Sequence, residues 1–481
     1  MAPLPARGLD RATILSRLAD YRQDNLDTHG GRTWAYVYDH GKEATDAIAA
    51  EAYFACLHEN GLDPTVFPSV LHLENELIGI AAAHLGGDRA TVGNFTSGGT
   101  ESCMLAVKAA RDFARAERGI AQPELVLPET AHAAFHKAAH YFDMSVVAVP
   151  VDPDTFRVRP ERVAEAINAH TALVVASAPG YAHGVVDPIP EIAAVCAERN
   201  VLLHVDACVG GWMLPYLRRL GVSMPDFDFS VPGVTSMSMD LHKFAYTPKG
   251  ASLVLYRDAA LRRHQLYACA SWAGYTVINA TIQSTKSAGP LAGAWATLHH
   301  LGDDGYLALA RDTLDATQRL LEGVAAIPGL RILGQPEMSL FSFTADGFSV
   351  FPIVDEMKTR GWYVQPQLAF GCSPENIHLT VTAISAQRVE AMLADLRECT
   401  AIAQAQPRDP QREELLAHLG QLDPGDFTPE LYAEMLGMAG LDGQALPARM
   451  ADINAIMNVL PPALREQLLV AFLNDLYRPP Q

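Results

Sequence analysis

No run of about 18 uncharged apolar residues occurs anywhere in the chain, so no membrane-spanning helix is expected. The first forty residues also lack an apolar stretch of signal-peptide length, and a cytoplasmic location is the default expectation. Clustered Lys and Arg are missing too. With 36 Lys and Arg against 55 Asp and Glu, the net charge is −19, which argues against a nucleic-acid surface. The seven cysteines never form a CxxC pair, a scatter that suits reduced thiols better than a disulfide scaffold, and no metal centre is expected. Internal repeats and low-complexity tracts are absent.

What is present is the composition of a packed globular protein, 49% hydrophobic with 19% charged residues, at a length that usually divides into two or more domains. Between about residues 90 and 260, short apolar runs alternate with helical patterns. TVGNF (91–95), ELVLP (124–128), SVVAVPV (145–151), ALVVASA (172–178), VLLHVDA (201–207) and SLVLY (252–256) read as strands buried on both faces. Strands of that kind with helices between them predict an α/β architecture built on a mostly parallel sheet. Beyond residue 303 a long helical stretch precedes short strands such as LRILG, LFSFTA and IHLTVT, which suggests a smaller α+β domain. The expected organisation is an N-terminal segment (1–60), a large domain (61–302), a small α+β domain (303–405) and a helical extension (406–481).

In a parallel sheet, ligands gather beyond the carboxyl ends of the strands. After the first strand comes Thr96-Ser97-Gly98-Gly99-Thr100-Glu101-Ser102 and then a helix, an arrangement that lets backbone amides approach an anion. No Gly-Lys-Ser/Thr comes after it, so it is not a Walker loop. His132 lies past the second strand, Tyr181 lies in the loop after ALVVASA, and Asp206 ends VLLHVDA. Each has a plain structural reading as well: a histidine in a helical run is usually packing, and a strand-end carboxylate can cap a helix or pair with a cation. Lys243, beside His242 and directly after the buried strand VTSMSMD, is harder to dismiss, because lysines are normally solvated. Together these residues fill the roles a pyridoxal-phosphate site requires. Lys243 supplies an amine for the cofactor aldehyde, Ser97, Gly99 and Thr100 an anion cradle, His132 a flat partner for the ring, and Asp206 a carboxylate for the pyridine nitrogen.

The segments TSGGTES, HAAFHKAAHYF, APGYAHGVVDPIPEIA, LHVDACVGG and DLHKFAYTPKGASLVLY closely resemble the sphingosine-1-phosphate lyases, within the group II pyridoxal-phosphate decarboxylases, from about residue 34 to the terminal FLNDLY. The resemblance implies a fold-type I homodimer with active sites shared between subunits, acting on a small-molecule amine. It implies that Lys243 carries the cofactor, that His132 stacks on its ring, that Asp206 pairs with the pyridine nitrogen and that His242 lies near the cofactor phosphate. Lys249 matches a lysine that holds a substrate phosphate, Tyr38 and Tyr181 match pocket tyrosines, and Thr285 and Lys286 stand where the family has Ser-Arg. Two stretches depart from the family pattern. LHPDIFP is here Leu62-Asp63-Pro64-Thr65-Val66-Phe67-Pro68, so Asp63 replaces a phosphate-binding histidine, and GSRPGG is here Ser284-Thr285-Lys286-Ser287-Ala288-Gly289. A smaller departure is Leu241, beside the cofactor phosphate, where the family has threonine.

The leading expectation is a carbon–carbon lyase that performs retro-aldol cleavage of a phosphorylated amino alcohol. The alternative is amino-acid α-decarboxylation, which needs a cation for the substrate carboxylate. IHLTVT offers His378 and no arginine, which favours the lyase, whereas Asp63 could hold a second amino group and points the other way. An inactive pyridoxal-phosphate-binding protein is the third reading.

Overall fold

A computed structural model describes residues 4–407, 409–438, 440 and 447–479. Its centre is a seven-stranded sheet of β1 (Val92–Thr96), β2 (Glu124–Pro128), β3 (Ser145–Val149), β4 (Thr171–Ser177), β5 (Leu202–Asp206), β6 (Val234–Asp240) and β7 (Ser252–Tyr256). The order is β1-β7-β6-β5-β4-β2-β3. Every neighbouring pair is parallel except those made by β7, which runs antiparallel to both β1 and β6. All residues of β4 and β7 are buried, as their unbroken apolar runs require of strands covered on both faces.

The register brings the chemistry to one edge. Ser177 pairs with Asp206, Asp206 with Ser238, and Ser252 with both Asp240 and Thr96. The carboxyl ends of β1, β4, β5 and β6 therefore open onto one crevice, where an α/β sheet presents its ligand site.

Next comes an exposed two-stranded hairpin, β8 (Tyr267–Cys269) and β9 (Val277–Asn279). The helix Ala288–Ala325 is interrupted at Gly302, whose φ of 62° lies in the left-handed region that favours glycine. After it comes a four-stranded antiparallel sheet, with β10 (Leu330–Ile332), β11 (Leu340–Ala345), β12 (Gln365–Gln367) and β13 (Asn376–Thr380) in the order β10-β11-β13-β12. The N-terminal segment packs against this smaller sheet. Trp34 is fully buried beside Trp362, and its carbonyl accepts from the Thr380 amide at 2.7 Å.

The helices Pro410–Leu419, Pro429–Met438, Ala451–Val459 and Pro462–Leu476 form their own apolar cluster around Leu419, Met435, Leu460, Leu464 and Leu468. Asp355 ties them to the small domain by accepting the Met450 and Ala451 amides at 2.8 and 3.0 Å, where a carboxylate meets a helix N-terminus. Among the described residues no helix is long and apolar enough to cross a membrane.

Candidate active site

The crevice is a cavity of about 440 Å³, and Ser97, Gly99, Thr100, His132, Tyr181, Asp206, His242 and Lys243 all line it. Lys243 is largely buried, and its Nζ lies 2.9 Å from Oδ2 of Asp240, the last residue of β6. Burial alone would lower the lysine pKa, but the Asp240 carboxylate outweighs it and holds the ammonium well above its usual range. The same pairing, reinforced by His242, keeps the Asp240 carboxyl below its ordinary value despite burial. Asp240 was not foreseen from the sequence, although its position at a strand end, three residues before Lys243, is the signal that revealed Asp206.

The helix Gly99–Arg118 starts at the cavity, so the amides of Gly99 and Thr100 have no intrahelical acceptor and its dipole favours an anion. Glycine is required at 99. A Cβ there would stand 2.7 and 2.8 Å from the Asp240 oxygens and 2.9 Å from the Cys208 sulfur. The Ser97 hydroxyl is engaged by Glu101 at 2.7 Å, which also accepts the Ser97 amide, so the cradle rests on backbone groups more than on that hydroxyl.

Asp206 Oδ1 accepts from the Cys208 amide at 3.0 Å and the Ser238 hydroxyl at 3.2 Å. Behind it His204, fully buried, bridges Ser236 (2.9 Å) and Ser238 (3.2 Å), and burial lowers its pKa to about 4, so it stays neutral. Asp206 is thus fixed from below, and its second oxygen has no protein donor among the described residues. His132 has a structural role and also lines the cavity. It caps the helix Ala133–Phe142, with Nδ1 accepting the Ala134 amide at 3.1 Å, and this bond fixes the ring on the cavity wall. His242 Nδ1 accepts the Ala251 amide at 3.1 Å, while Nε2 lies 3.6 Å from Asp240.

The outer wall is neutral. Tyr181 Oη donates to Gln365 at 2.7 Å, Gln365 Nε2 donates to the Tyr36 hydroxyl at 2.8 Å, and His378 stacks on the Tyr181 ring with centroids 4.4 Å apart. Burial raises the Tyr181 phenol and lowers His378 to about 4, leaving both uncharged at neutral pH. Gln365 could not be foreseen, because only the folding of β12 over the large sheet brings it here. Tyr38 packs on Phe244, and the Lys249 ammonium sits 4.9 Å from the Tyr38 ring centroid.

Of the six expected substrate residues only Tyr181 lines this cavity: Tyr38 and Lys249 stand next to it, Lys249 donating to the His242 carbonyl at 3.3 Å, and the other three lie away from it. Asp63 is exposed, its Oδ1 taken by the Thr65 amide (2.8 Å) and hydroxyl (2.6 Å) in a tight turn. Lys286 is committed to Glu74 at 2.5 Å, a carboxylate that also accepts the Phe95 amide at 2.9 Å. Thr285 is exposed on the loop beside it.

An amine able to reach a cofactor aldehyde, amides at a helix start, a carboxylate with a spare oxygen and a flat imidazole suit pyridoxal phosphate. Asp240 Oδ1, buried without a partner, marks a polar wall that a bare apolar cavity would not tolerate.

Comparison with known proteins agrees. The profile of the pyridoxal-dependent decarboxylase conserved domain matches residues 30–346, and that of a pyridoxal-dependent enzyme C-terminal putative HTH domain matches residues 413–475. The chain is 37% identical over 411 residues to sphingosine-1-phosphate lyase from Arabidopsis thaliana, spanning 84% of this chain and 74% of that protein. The solved sphingosine-1-phosphate lyase of Burkholderia pseudomallei superposes with a TM-score of 0.80 at 38% identity, covering 84% of this chain and 93% of that one. The Lactobacillus brevis glutamate decarboxylase, at 20% identity and a TM-score of 0.75 over 85% of this chain and 96% of that one, shares the fold. The chain belongs to the pyridoxal-dependent decarboxylase family, on the branch of the sphingosine-1-phosphate lyases, and is a pyridoxal-phosphate-dependent lyase.

Proposed function

We propose that this lyase cleaves the bond between the amine-bearing and hydroxyl-bearing carbons of a phosphorylated long-chain amino alcohol, giving an aldehyde and a phosphorylated amine. The observation that carries this reading is the charge of the pocket. The wall around Tyr181, His378 and Gln365 is neutral, and among the described residues no arginine lines the cavity to receive an amino-acid carboxylate. Lys249 stands just outside the lining, over the Tyr38 ring and donating to the His242 carbonyl at 3.3 Å, where it would supply a cation for a phosphate. The names carried by the relatives point to the same substrate class.

Bound pyridoxal phosphate supplies an aldehyde for an amine and a protonated ring that accepts the electron pair of the broken bond. The chain's own residues do the rest. Asp206, held by Ser238 and the Cys208 amide, would keep a proton on the ring nitrogen of the bound cofactor. Lys243 would hold the cofactor through its amine and, when free, would give or take protons at the reacting carbons. Tyr181 remains a phenol whose proton goes to Gln365, which leaves its oxygen free to accept from a substrate hydroxyl.

The enzyme acts as a homodimer in this reading. Trp272, Tyr275 and Ile278 on and around the β8–β9 hairpin are 50%, 60% and 62% exposed, a patch that calls for a partner. The loop after the hairpin is tethered to the cavity mouth, where the Ile282 amide donates to Glu101 at 2.8 Å. Thr285 lies further along that loop, beside Lys286, so a second subunit docked there would close the site. Light scattering tests the dimer.

The reaction is tested by incubating the enzyme with phosphorylated sphingoid bases, simpler amino-alcohol phosphates and free amino acids, scoring aldehyde and CO2 together. Aldehyde from the phosphorylated amino alcohols is expected. Release of CO2 from amino acids with no aldehyde from any amino alcohol would sink the proposal and favour the decarboxylase reading.

A further inference from the structure

The fold brings together two cysteines that nothing in their spacing connects. Cys103, in the first turns of the helix Gly99–Arg118, and Cys208, just beyond β5, both line the floor of the cavity. Their sulfurs and a carboxylate oxygen of Asp206 all lie within 4.8 Å of one another, the one such group of three among the described residues. The Ser238 hydroxyl braces the cluster, 3.2 Å from Asp206 and 3.8 Å from the Cys103 sulfur, and is itself held by His204.

We propose that Cys103, Cys208 and Asp206 form a site for a thiophilic divalent cation of the zinc or cadmium class, and that this ion and pyridoxal phosphate exclude each other because both require Asp206. Two sulfurs and a carboxylate oxygen are the donor set such ions select, whereas magnesium and calcium prefer all-oxygen shells. Tetrahedral bonds of about 2.3 Å to sulfur and 2.0–2.2 Å to oxygen put neighbouring donors roughly 3.5 Å apart, a contraction that side-chain rotation can supply. The fourth position faces the cavity and is left for water. Ser238 and His204 supply the second layer of hydrogen bonding that metal carboxylates usually have. Binding releases the two thiol protons to solvent, and the ion's two positive charges replace them.

The exclusion half of the inference rests on the cavity being the cofactor site; the metal half does not. Cofactor-free enzyme is titrated with Cd2+ and followed by the ultraviolet thiolate-to-metal charge-transfer band. One equivalent is expected to give the band, and C103A and C208A should each lose it. Enzyme saturated with pyridoxal phosphate should give none, and Cd2+ added first should block the visible absorbance of cofactor uptake until a chelator is added. Mg2+ at the same concentration should do neither. X-ray absorption of the wild-type Zn2+ complex, which needs no variant to fold, is the second measurement, with two sulfur scatterers at about 2.3 Å expected. A zinc shell without sulfur, or a band that survives in both folded variants, overturns the metal site. Equal Cd2+ binding with and without cofactor overturns the exclusion. No substrate enters any of these measurements, so they fail or succeed independently of the lyase reaction.

Discussion

The Lys243 ammonium and the Asp240 carboxylate form a buried ion pair of 2.9 Å at the carboxyl end of β6, with Asp240 only 2% exposed. The aspartate holds the lysine as an ammonium in the cofactor-free chain, so cofactor capture must take a proton from this pair before the amine can attack.

The pair sets a stability prediction. Removing one member of a buried pair typically costs about 3–5 kcal/mol, since the other charge is left unpaired. D240N should therefore lose on the order of 3 kcal/mol in urea denaturation of the cofactor-free enzyme at neutral pH. The Asp240 pKa is depressed, so its contribution is present above the ordinary carboxylate range and lost on acidification. The Lys243 pKa is raised, so its contribution is present at neutral pH and lost only at strongly alkaline pH. The difference between variant and wild type should be flat from about pH 5 to 9 and shrink below about pH 4. A difference that grows on acidification would refute the assignment.

Gly99 offers a steric test. The methyl group of G99A would meet two Asp240 oxygens and the Cys208 sulfur inside 3 Å, beneath the amides read as the phosphate cradle. Overpacking of this kind costs about 1–3 kcal/mol, which corresponds to roughly a 5- to 150-fold loss of cofactor affinity if it falls on the cradle. Titration of the visible cofactor absorbance measures it. Wild-type affinity in G99A would remove the cradle from this loop.

Much of this site was legible because strand-end residues in a parallel sheet share one edge. Lys243, Asp206, Gly99 and His132 each stand at or just past the end of an apolar run, and all four line the cavity. Asp240 obeys the same rule, but the His-Lys pair after it is the stronger local signal and hides it. Gln365 lies on the small sheet and carries no local signal; its place is set by how β12 docks. Asp63 and Lys286 fail to reach the cavity for local reasons, an Asx turn with Thr65 in one case and the buried partner Glu74 in the other. The Asx turn is written in the local spacing, whereas Glu74, more than 200 residues from Lys286, is not.

The support of Asp206 separates two effects. D206N removes the charge that keeps the ring nitrogen protonated, and loss of a preorganised electrostatic group of this kind costs about 10²–10³ in kcat. S238A leaves the charge and removes one of two donors, so a loss of about 1 kcal/mol, or roughly fivefold, is expected. His204 stays neutral down to about pH 4, and S238A should leave the shape of the pH profile unchanged near neutrality. Equal losses in the two variants would show that Asp206 acts through its packing and not its charge.

Lys249 gives the pH dependence of substrate recognition. The Lys249 side chain is exposed but flanked by protein, and this partial desolvation, followed by repulsion from the nearby Lys243, lowers its pKa to about 8. The side chain is a cation below that pH and neutral above it, so an attraction for a substrate phosphate is present below pH 8 and fades as pH rises through it. A phosphate monoester keeps most of its charge above its second pKa of about 6, so the substrate does not offset this trend. The expected result is a kcat/KM for phosphorylated substrate that is level between about pH 7 and 8 and then falls, with the change carried by KM, since kcat/KM reports groups of the free enzyme. K249Q should show a raised KM at pH 7 and no inflection near pH 8. An unphosphorylated amino alcohol, if turned over at all, should be indifferent to the substitution. A K249Q profile that keeps the wild-type inflection would assign the titration to another group and leave the phosphate without its proposed cation.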